Sequence, residues 1–362
     1  MTKLGVLFSV LGVGAGCIPA FAQKQLPNII VMLSDDQGWG DLGFTGNTFV
    51  QTPNIDRIAH EGTILENFYV CPVSSPTRAE FLTGRYHVRS GVNSTTGGGE
   101  RFNLGEKTIA EYFREAGYAT SLFGKWHSGT QYPYHPNARG FEEFYGFCSG
   151  HWGNYWNPVL EHNGEIISGE GFIIDDLTDK ALDYIRDHKE HPFFMFLSYN
   201  TPHSPMQVPD SWWNRVKDRT LSQRATFPEQ EDTTFTKAAL ALAENLDWNI
   251  GRVLSLLHSL DLEQETIVIY FSDNGPNSFR WNGGMKGRKG STDEGGVRSP
   301  FCIRWPGHIR KGAVETQLSG AIDLIPTLLG LAGIEYTPLR KLDGIDWGQR
   351  LLDDLKSATY RV

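Results

Sequence analysis

Cysteine is scarce in this chain, with four in 362 residues, at positions 17, 71, 148 and 302. Such sparse spacing excludes a disulfide-stapled scaffold, and with Cys17 set aside in a leader, the odd number left permits one internal bridge at most. Long apolar runs are missing beyond the first 22 residues, which excludes a polytopic membrane protein. Positive charge is in short supply too. Lys and Arg total 33 against 42 Asp and Glu, a formal charge of −9, the wrong sign for nucleic acid as a partner. A small anionic substrate at a locally basic site stays open. Repeats, low-complexity tracts and long linkers are also absent, so a repeat array is excluded.

The chain opens with Lys3, an apolar run over 4–18 and the triplet Ala20-Phe21-Ala22, the pattern of a secretory signal with the mature chain starting near Gln23. The run is shorter than the ~20 residues a spanning helix needs and is broken by Gly12, Gly14, Gly16 and Pro19. The expectation is a signal peptide over 1–22, then one catalytic domain over 23–362 in an exported protein, periplasmic or secreted, with no transmembrane segment. Lipidation of Cys17 is the lesser alternative, because the aliphatic residue expected three places before it is missing.

Short apolar runs then alternate with amphipathic stretches. Strands are expected at 28–34, 119–123, 193–199 and 266–272, and helices at 53–60, 108–116, 175–188 and 236–260. Strands separated by helices imply an α/β fold, a large mostly parallel sheet flanked by helices on both faces. Asp35 and Asp36 follow the first strand, Lys125 and His127 the second, His203 the third, and Asp273 and Asn274 the fourth. The carboxyl ends of parallel strands form the ligand crevice, so these segments are expected to converge.

Hard oxygen donors in Asp35-Asp36 and Asp273-Asn274 suit Ca²⁺ or Mg²⁺ better than Zn²⁺. Either pair alone is more often a turn former; together at two strand ends they favour a metal. In Ser74-Ser75-Pro76-Thr77-Arg78-Ala79-Glu80-Phe81-Leu82-Thr83-Gly84-Arg85, Pro76 fits the first turn of a helix, which places Ser74 and Ser75 where backbone N–H groups favour an anion. A plain serine N-cap accounts for either serine equally well, but not for the whole string.

These motifs resemble the formylglycine-dependent sulfatases of the alkaline phosphatase superfamily. The matching string is Ser74, Pro76, Arg78 and Leu82-Thr83-Gly84, and Cys71 lies three positions too early to be the nucleophile. Pro27-Asn28-Ile29-Ile30 with Asp35-Asp36, Gly124-Lys125-Trp126-His127, Pro202-His203, Ser272-Asp273-Asn274-Gly275, and Lys289-Gly290 ahead of Glu294-Gly295-Gly296-Val297-Arg298 follow in the family's order. The resemblance implies one Ca²⁺ per chain, held by Asp35, Asp36, Asp273, Asn274 and an oxygen of residue 74. It implies that Ser74 becomes formylglycine through a serine-type maturation enzyme, that Arg78 holds it, and that Lys125 and Lys289 grip sulfate. His203 would protonate the leaving alcohol and His127 would act on the formylglycine hydroxyls. The implied reaction is hydrolysis of a sulfate monoester, on a sulfated saccharide or an aryl sulfate. The family also continues into a small carboxy-terminal subdomain, which this chain, stopping at Val362, is expected largely to lack.

Taken singly, His127 and His203 read better as packed histidines, and Lys125, Lys286, Arg288 and Lys289 as a solvated basic face; spacing favours Lys289 over Lys286. Core packing leads for the aromatics over 132–162, with a sugar platform of His151, Trp152, Asn154 and Trp156, extended by Trp212, Trp213 and Trp281, as the alternative. Two rivals stay open: a two-zinc phosphoesterase or phosphotransferase of the same superfamily, and a non-catalytic binder of sulfated glycans.

Overall fold

An unbroken apolar run of seven residues suits a strand covered on both faces. Asn28–Ser34 is such a strand, β1, and all seven of its residues are buried. The computed structural model describes residues 1–2 and 26–352; the expected signal peptide, with Cys17, falls almost wholly outside the described residues. Eleven further strands follow: β2 (Thr63–Leu65), β3 (Phe68–Tyr69), β4 (Ala119–Lys125), β5 (Glu143–Phe147), β6 (Val159–His162), β7 (Glu165–Ser168), β8 (Phe193–Ser198), β9 (Thr266–Ser272), β10 (Phe301–Arg304), β11 (Ala313–Glu315) and β12 (Ser319–Gly320).

Ten of them form one sheet in the order β11-β2-β10-β9-β1-β8-β4-β5-β6-β7, while β3 and β12 pair separately. The centre, β9-β1-β8-β4-β5, is entirely parallel. Antiparallel pairing enters only toward the flanks, through β10 on one side and β6 on the other. The four expected strands are thus present at the centre of the sheet, and the shorter flanking strands extend it.

Alternation along β1 sends Ile29, Val31 and Leu33 into one core and Ile30 and Met32 into the other. Helices Ser74–Thr83, Ile109–Glu115 and Leu324–Ala332 cover the first core. Helices Pro53–Glu61, Ile173–Asp187 and Thr233–Ser259 cover the second. Their termini are fixed by polar side chains. Thr108 and Glu111 form a reciprocal cap, and Asp232 accepts the N–H groups of Thr234 and Phe235. Thr52 makes no side-chain cap; instead Asp247, from the long helix, accepts from Asn54 and Ile55 at 2.9 and 2.8 Å and ties two helices together. Among the described residues no helix is long and apolar enough to cross a membrane, and Cys71, Cys148 and Cys302 are buried free thiols.

Candidate active site

The buried helix Ser74–Thr83 stops at Gly84, which adopts the left-handed conformation with φ 65°. Residues four apart share a helical face, and the Arg78 Nε lies 3.1 Å from the Ser74 Oγ. Both meet Asp273, just beyond β9. Its Oδ2 accepts the Ser74 hydroxyl in a short contact and the Arg78 Nη2 at 3.0 Å. Its Oδ1 accepts the backbone N–H of Asp36 at 3.1 Å, linking the ends of β9 and β1. The remaining fork of Arg78 donates to the Lys125 carbonyl at 3.2 Å and to the Ser198 Oγ at 2.6 Å, so β4 and β8 are drawn in as well.

Two lysines meet the Asp35-Asp36 pair, one on each carboxylate. Lys125 Nζ lies 2.6 Å from Asp35 Oδ2, and Lys289 Nζ lies 2.6 Å from Asp36 Oδ1. Lys286 turns to Asp293 at 3.3 Å. Asn274 Nδ2 donates to Asp36 Oδ1 at 2.8 Å. His203 donates from Nδ1 to the Ser204 carbonyl at 2.6 Å, which leaves Nε2 facing Asp36 Oδ2 at 3.5 Å. His127 stands apart from these direct contacts. Its Nε2 meets the Thr95 carbonyl at 2.9 Å and so carries the hydrogen, which makes Nδ1 a buried lone pair with no partner.

Burial and charge set the protonation of this cluster. Burial works against the Asp35 carboxylate, but Lys125, then His203, Arg78 and Lys289, hold it well below the usual carboxylate range. Burial, then repulsion by Asp35, pushes Asp273 up despite Arg78. For Lys289, burial is outweighed by Asp36, Asp35 and Asp273, and its ammonium is held above the ordinary value. Burial pushes the Lys125 ammonium down, with Asp35 opposing. Burial, helped by Lys125, lowers His127 to about 3, so its imidazole is neutral at ordinary pH.

Asp35 Oδ1 and Asn274 Oδ1 are buried and have no hydrogen-bond partner, which a folded protein rarely tolerates without an ion or water. With Asp36, Asp273 and the oxygen of residue 74 they offer hard oxygen donors, a set that fits Ca²⁺ or Mg²⁺.

Backbone approach explains the glycines in these motifs. A Cβ on Gly124 would lie 2.0 Å from the Ser198 carbonyl, and one on Gly275 would lie 2.0 Å from that of Gly295. Gly124 therefore lets β4 close on β8 beneath Arg78, and Gly275 lets the Asp273-Asn274 turn meet Gly295-Gly296. Asp36 and His127, with φ of 64° and 62°, sit in the left-handed region directly at the site.

Several contributors escape sequence reading. Arg280 grips Asp41 through both carboxylate oxygens and donates to the Asp36 carbonyl at 2.9 Å. Ser198 looks like any strand residue until Arg78 reaches it. The buried Tyr155 donates to the His203 carbonyl at 2.7 Å. Of the aromatic platform, Trp152 stacks on Phe147 at 5.0 Å and belongs to the core's edge. Asn154 bonds both the N–H and the carbonyl of Trp156. Only His151 lies beside the site, 5.2 Å from the His203 ring. Trp212 and Trp213 pack on a separate small cluster, and Trp281 lies against the backbone of Gly40.

The geometry gathers three carboxylates and three cations about the Ser74 hydroxyl, and comparisons with known proteins give the family. The family model for sulfatases matches residues 27–334. N-acetylgalactosamine-6-sulfatase of Sus scrofa is 32% identical over 94% of this chain and 68% of its own length. The solved structure of Ps i-CgsB in complex with k-i-k-neocarrahexaose superposes with a TM-score of 0.80 at 32% identity, covering 91% of this chain and 77% of that one. PsFucS1 sulfatase from Pseudoalteromonas sp. gives 0.77 at 27% identity, covering 91% and 72%. The chain belongs to the sulfatase family, with its alkaline-phosphatase-like fold, and is a sulfuric ester hydrolase.

Proposed function

We propose that this chain hydrolyses sulfate monoesters of saccharides through Ser74 after its conversion to formylglycine by a serine-type maturation enzyme, with one Ca²⁺ held by Asp35, Asp36, Asp273, Asn274 and an oxygen of residue 74. The observation that carries this reading is the direct contact of Ser74 with both Arg78 and Asp273 at the converging strand ends. The saccharide class is supported by relatives whose names specify N-acetylgalactosamine-6-sulfate chemistry or a bound neocarrahexaose. Export is supported by the leader pattern at 1–22.

A hydrated aldehyde at residue 74 supplies one hydroxyl for attack on sulfur and a second whose deprotonation releases sulfate, splitting one hard step into two. A calcium ion held by Asp35, Asp36, Asp273 and Asn274 would supply positive charge at this site. Arg78 orients residue 74, and its other contacts with Ser198 and the Lys125 carbonyl keep the guanidinium from following the reacting oxygen. Lys125 and Lys289 place ammonium groups where charge develops on sulfuryl oxygens. His203, fixed through Nδ1, presents Nε2 to protonate the departing alcohol. His127, with its Nδ1 lone pair unengaged, is assigned to accept a proton from residue 74.

Protein made beside a serine-type maturation enzyme should yield a Ser74 peptide lighter by one hydrogen molecule, and sulfatase activity should track the modified fraction. Ser74→Ala should be inactive. Equal turnover by protein whose Ser74 is verified as unmodified would overturn this reading.

A further inference from the structure

Beside the sulfate-handling residues runs a groove of about 370 Å³, lined by Phe227, Phe279, Lys286, Arg288, Lys289 and Asp293 among others. We propose that it binds a second anionic substituent, a sulfate or a carboxylate, on a sugar adjoining the one that carries the scissile ester. The substrate is then an oligosaccharide with more than one negative group. This rests on the sulfatase reading above and adds the substrate class.

Continuity is the first ground: Lys289 lines the groove, yet its ammonium reaches Asp36 in the site, 2.6 Å away. Charge is the second. In a chain of net −9, three of the four titratable groups lining this groove are cationic. Its single carboxylate, Asp293, lies 3.3 Å from Lys286. Arg288 makes no ion pair among the described residues and lies 5.0 Å over the Phe279 ring, its guanidinium left for a ligand. A planar fork of this kind matches oxyanions in a bidentate manner.

Rigidity is the third ground. The N–H of Lys289 donates to the Pro276 carbonyl at 2.9 Å and that of Gly290 to Pro72 at 2.8 Å. The basic loop is thereby tied to the turns that carry Asn274 and Ser74. Gly287 and Gly290, with φ of 93° and 86°, make the bends that this path requires. The loop backbone that carries the cations is held in place before any ligand arrives, which limits the entropy lost on binding.

The test reads affinity, by calorimetry on Ser74→Ala protein, with and without Lys286→Ala/Arg288→Ala. A polysulfated hexasaccharide should bind roughly five- to tenfold more weakly when both cations are removed, and the difference should shrink in high salt. 4-Nitrophenyl sulfate, which cannot reach the groove, should bind equally to both. A singly sulfated oligosaccharide bearing a uronate distinguishes carboxylate from sulfate as the second anion. Unchanged affinity for both oligosaccharides, or an equal loss for the aryl sulfate, would overturn the proposal. Failure of the hydrolase reading would show separately, as absence of product from matured wild-type protein.

Discussion

Removing Arg78 should leave Asp273 as a buried carboxylate without its guanidinium. Both side chains are fully buried, and breaking such a pair from one side typically destabilises by about 3–5 kcal/mol. The Lys125 carbonyl and Ser198 Oγ lose their donor as well, which adds about 1–3 kcal/mol for each group that finds no replacement. Protonation of Asp273 provides relief. Burial and then repulsion by Asp35 already push its carboxyl up, and loss of Arg78 raises it further. A carboxyl whose folded value exceeds its unfolded one contributes stability at low pH that is lost as pH rises through the folded value. The destabilisation in Arg78→Ala should therefore grow as pH rises above about 4, the unfolded value, by up to about 1.4 kcal/mol per unit until the raised folded value is passed. Urea unfolding followed by tryptophan fluorescence, in chelator, measures this. Asp273→Asn added to Arg78→Ala should restore much of the loss and flatten the pH dependence. A pH-independent loss under about 1 kcal/mol would refute the argument, since no uncompensated buried charge could then have been created.

Three further outcomes are expected. His203→Ala should slow saccharide sulfates much more than activated aryl sulfates, because only a poor leaving alcohol needs a strong general acid; equal loss on both would remove His203 from that role. Chelation of calcium should abolish turnover, and in Asp273→Ala added calcium should no longer raise the melting temperature, as linkage requires when a ligand is lost; full activity after verified metal removal would exclude the ion. His127, with a folded value of about 3 below its unfolded value, contributes stability that is full above pH ~6.5 and is lost as pH falls. Between pH 6.5 and 4.5 wild type should lose about 1.4 kcal/mol per unit more than His127→Asn, and parallel curves would contradict this assignment.

The central strands were legible because their signal is local: Asn28–Ser34 and Thr266–Ser272 coincide with the expected runs, and burial on both faces demands unbroken apolar sequence. β6 and β7 gave no such signal. Val159–His162 and Glu165–Ser168 mix polar with apolar residues and are largely exposed, and their pairing comes from the hairpin and from β5. The site followed the same division. Lys125, His203 and Asp273 could be placed by their position at strand ends and Ser74 by the helix start that Pro76 marks, whereas Arg280 acts on Asp36 from 244 residues away and carries no local mark. Trp152 follows the leading reading of its aromatic-rich loop, since the stacking on Phe147 places this ring in the packing and not in a sugar platform.

The charge balance indicates why such a site would take up both a metal and an anion. Asp35, Asp36 and Asp273 are buried with Arg78 and Lys125, and the partly exposed Lys289 completes the cluster, three formal negative charges beside three positive ones. In that balance each cation is engaged by a carboxylate and none is offered to a sulfate. A bound divalent ion would draw on the carboxylate oxygens, leave the cluster positive and turn the lysine ammonium groups toward an incoming oxyanion. Metal and substrate binding should then be mutually strengthening. Sulfate should inhibit more tightly in calcium than in chelator, and by reciprocity sulfate should raise calcium affinity by the same factor. Titration of calcium with and without sulfate measures that factor, and a value of one would show that the lysines remain with their carboxylates whatever the ion does.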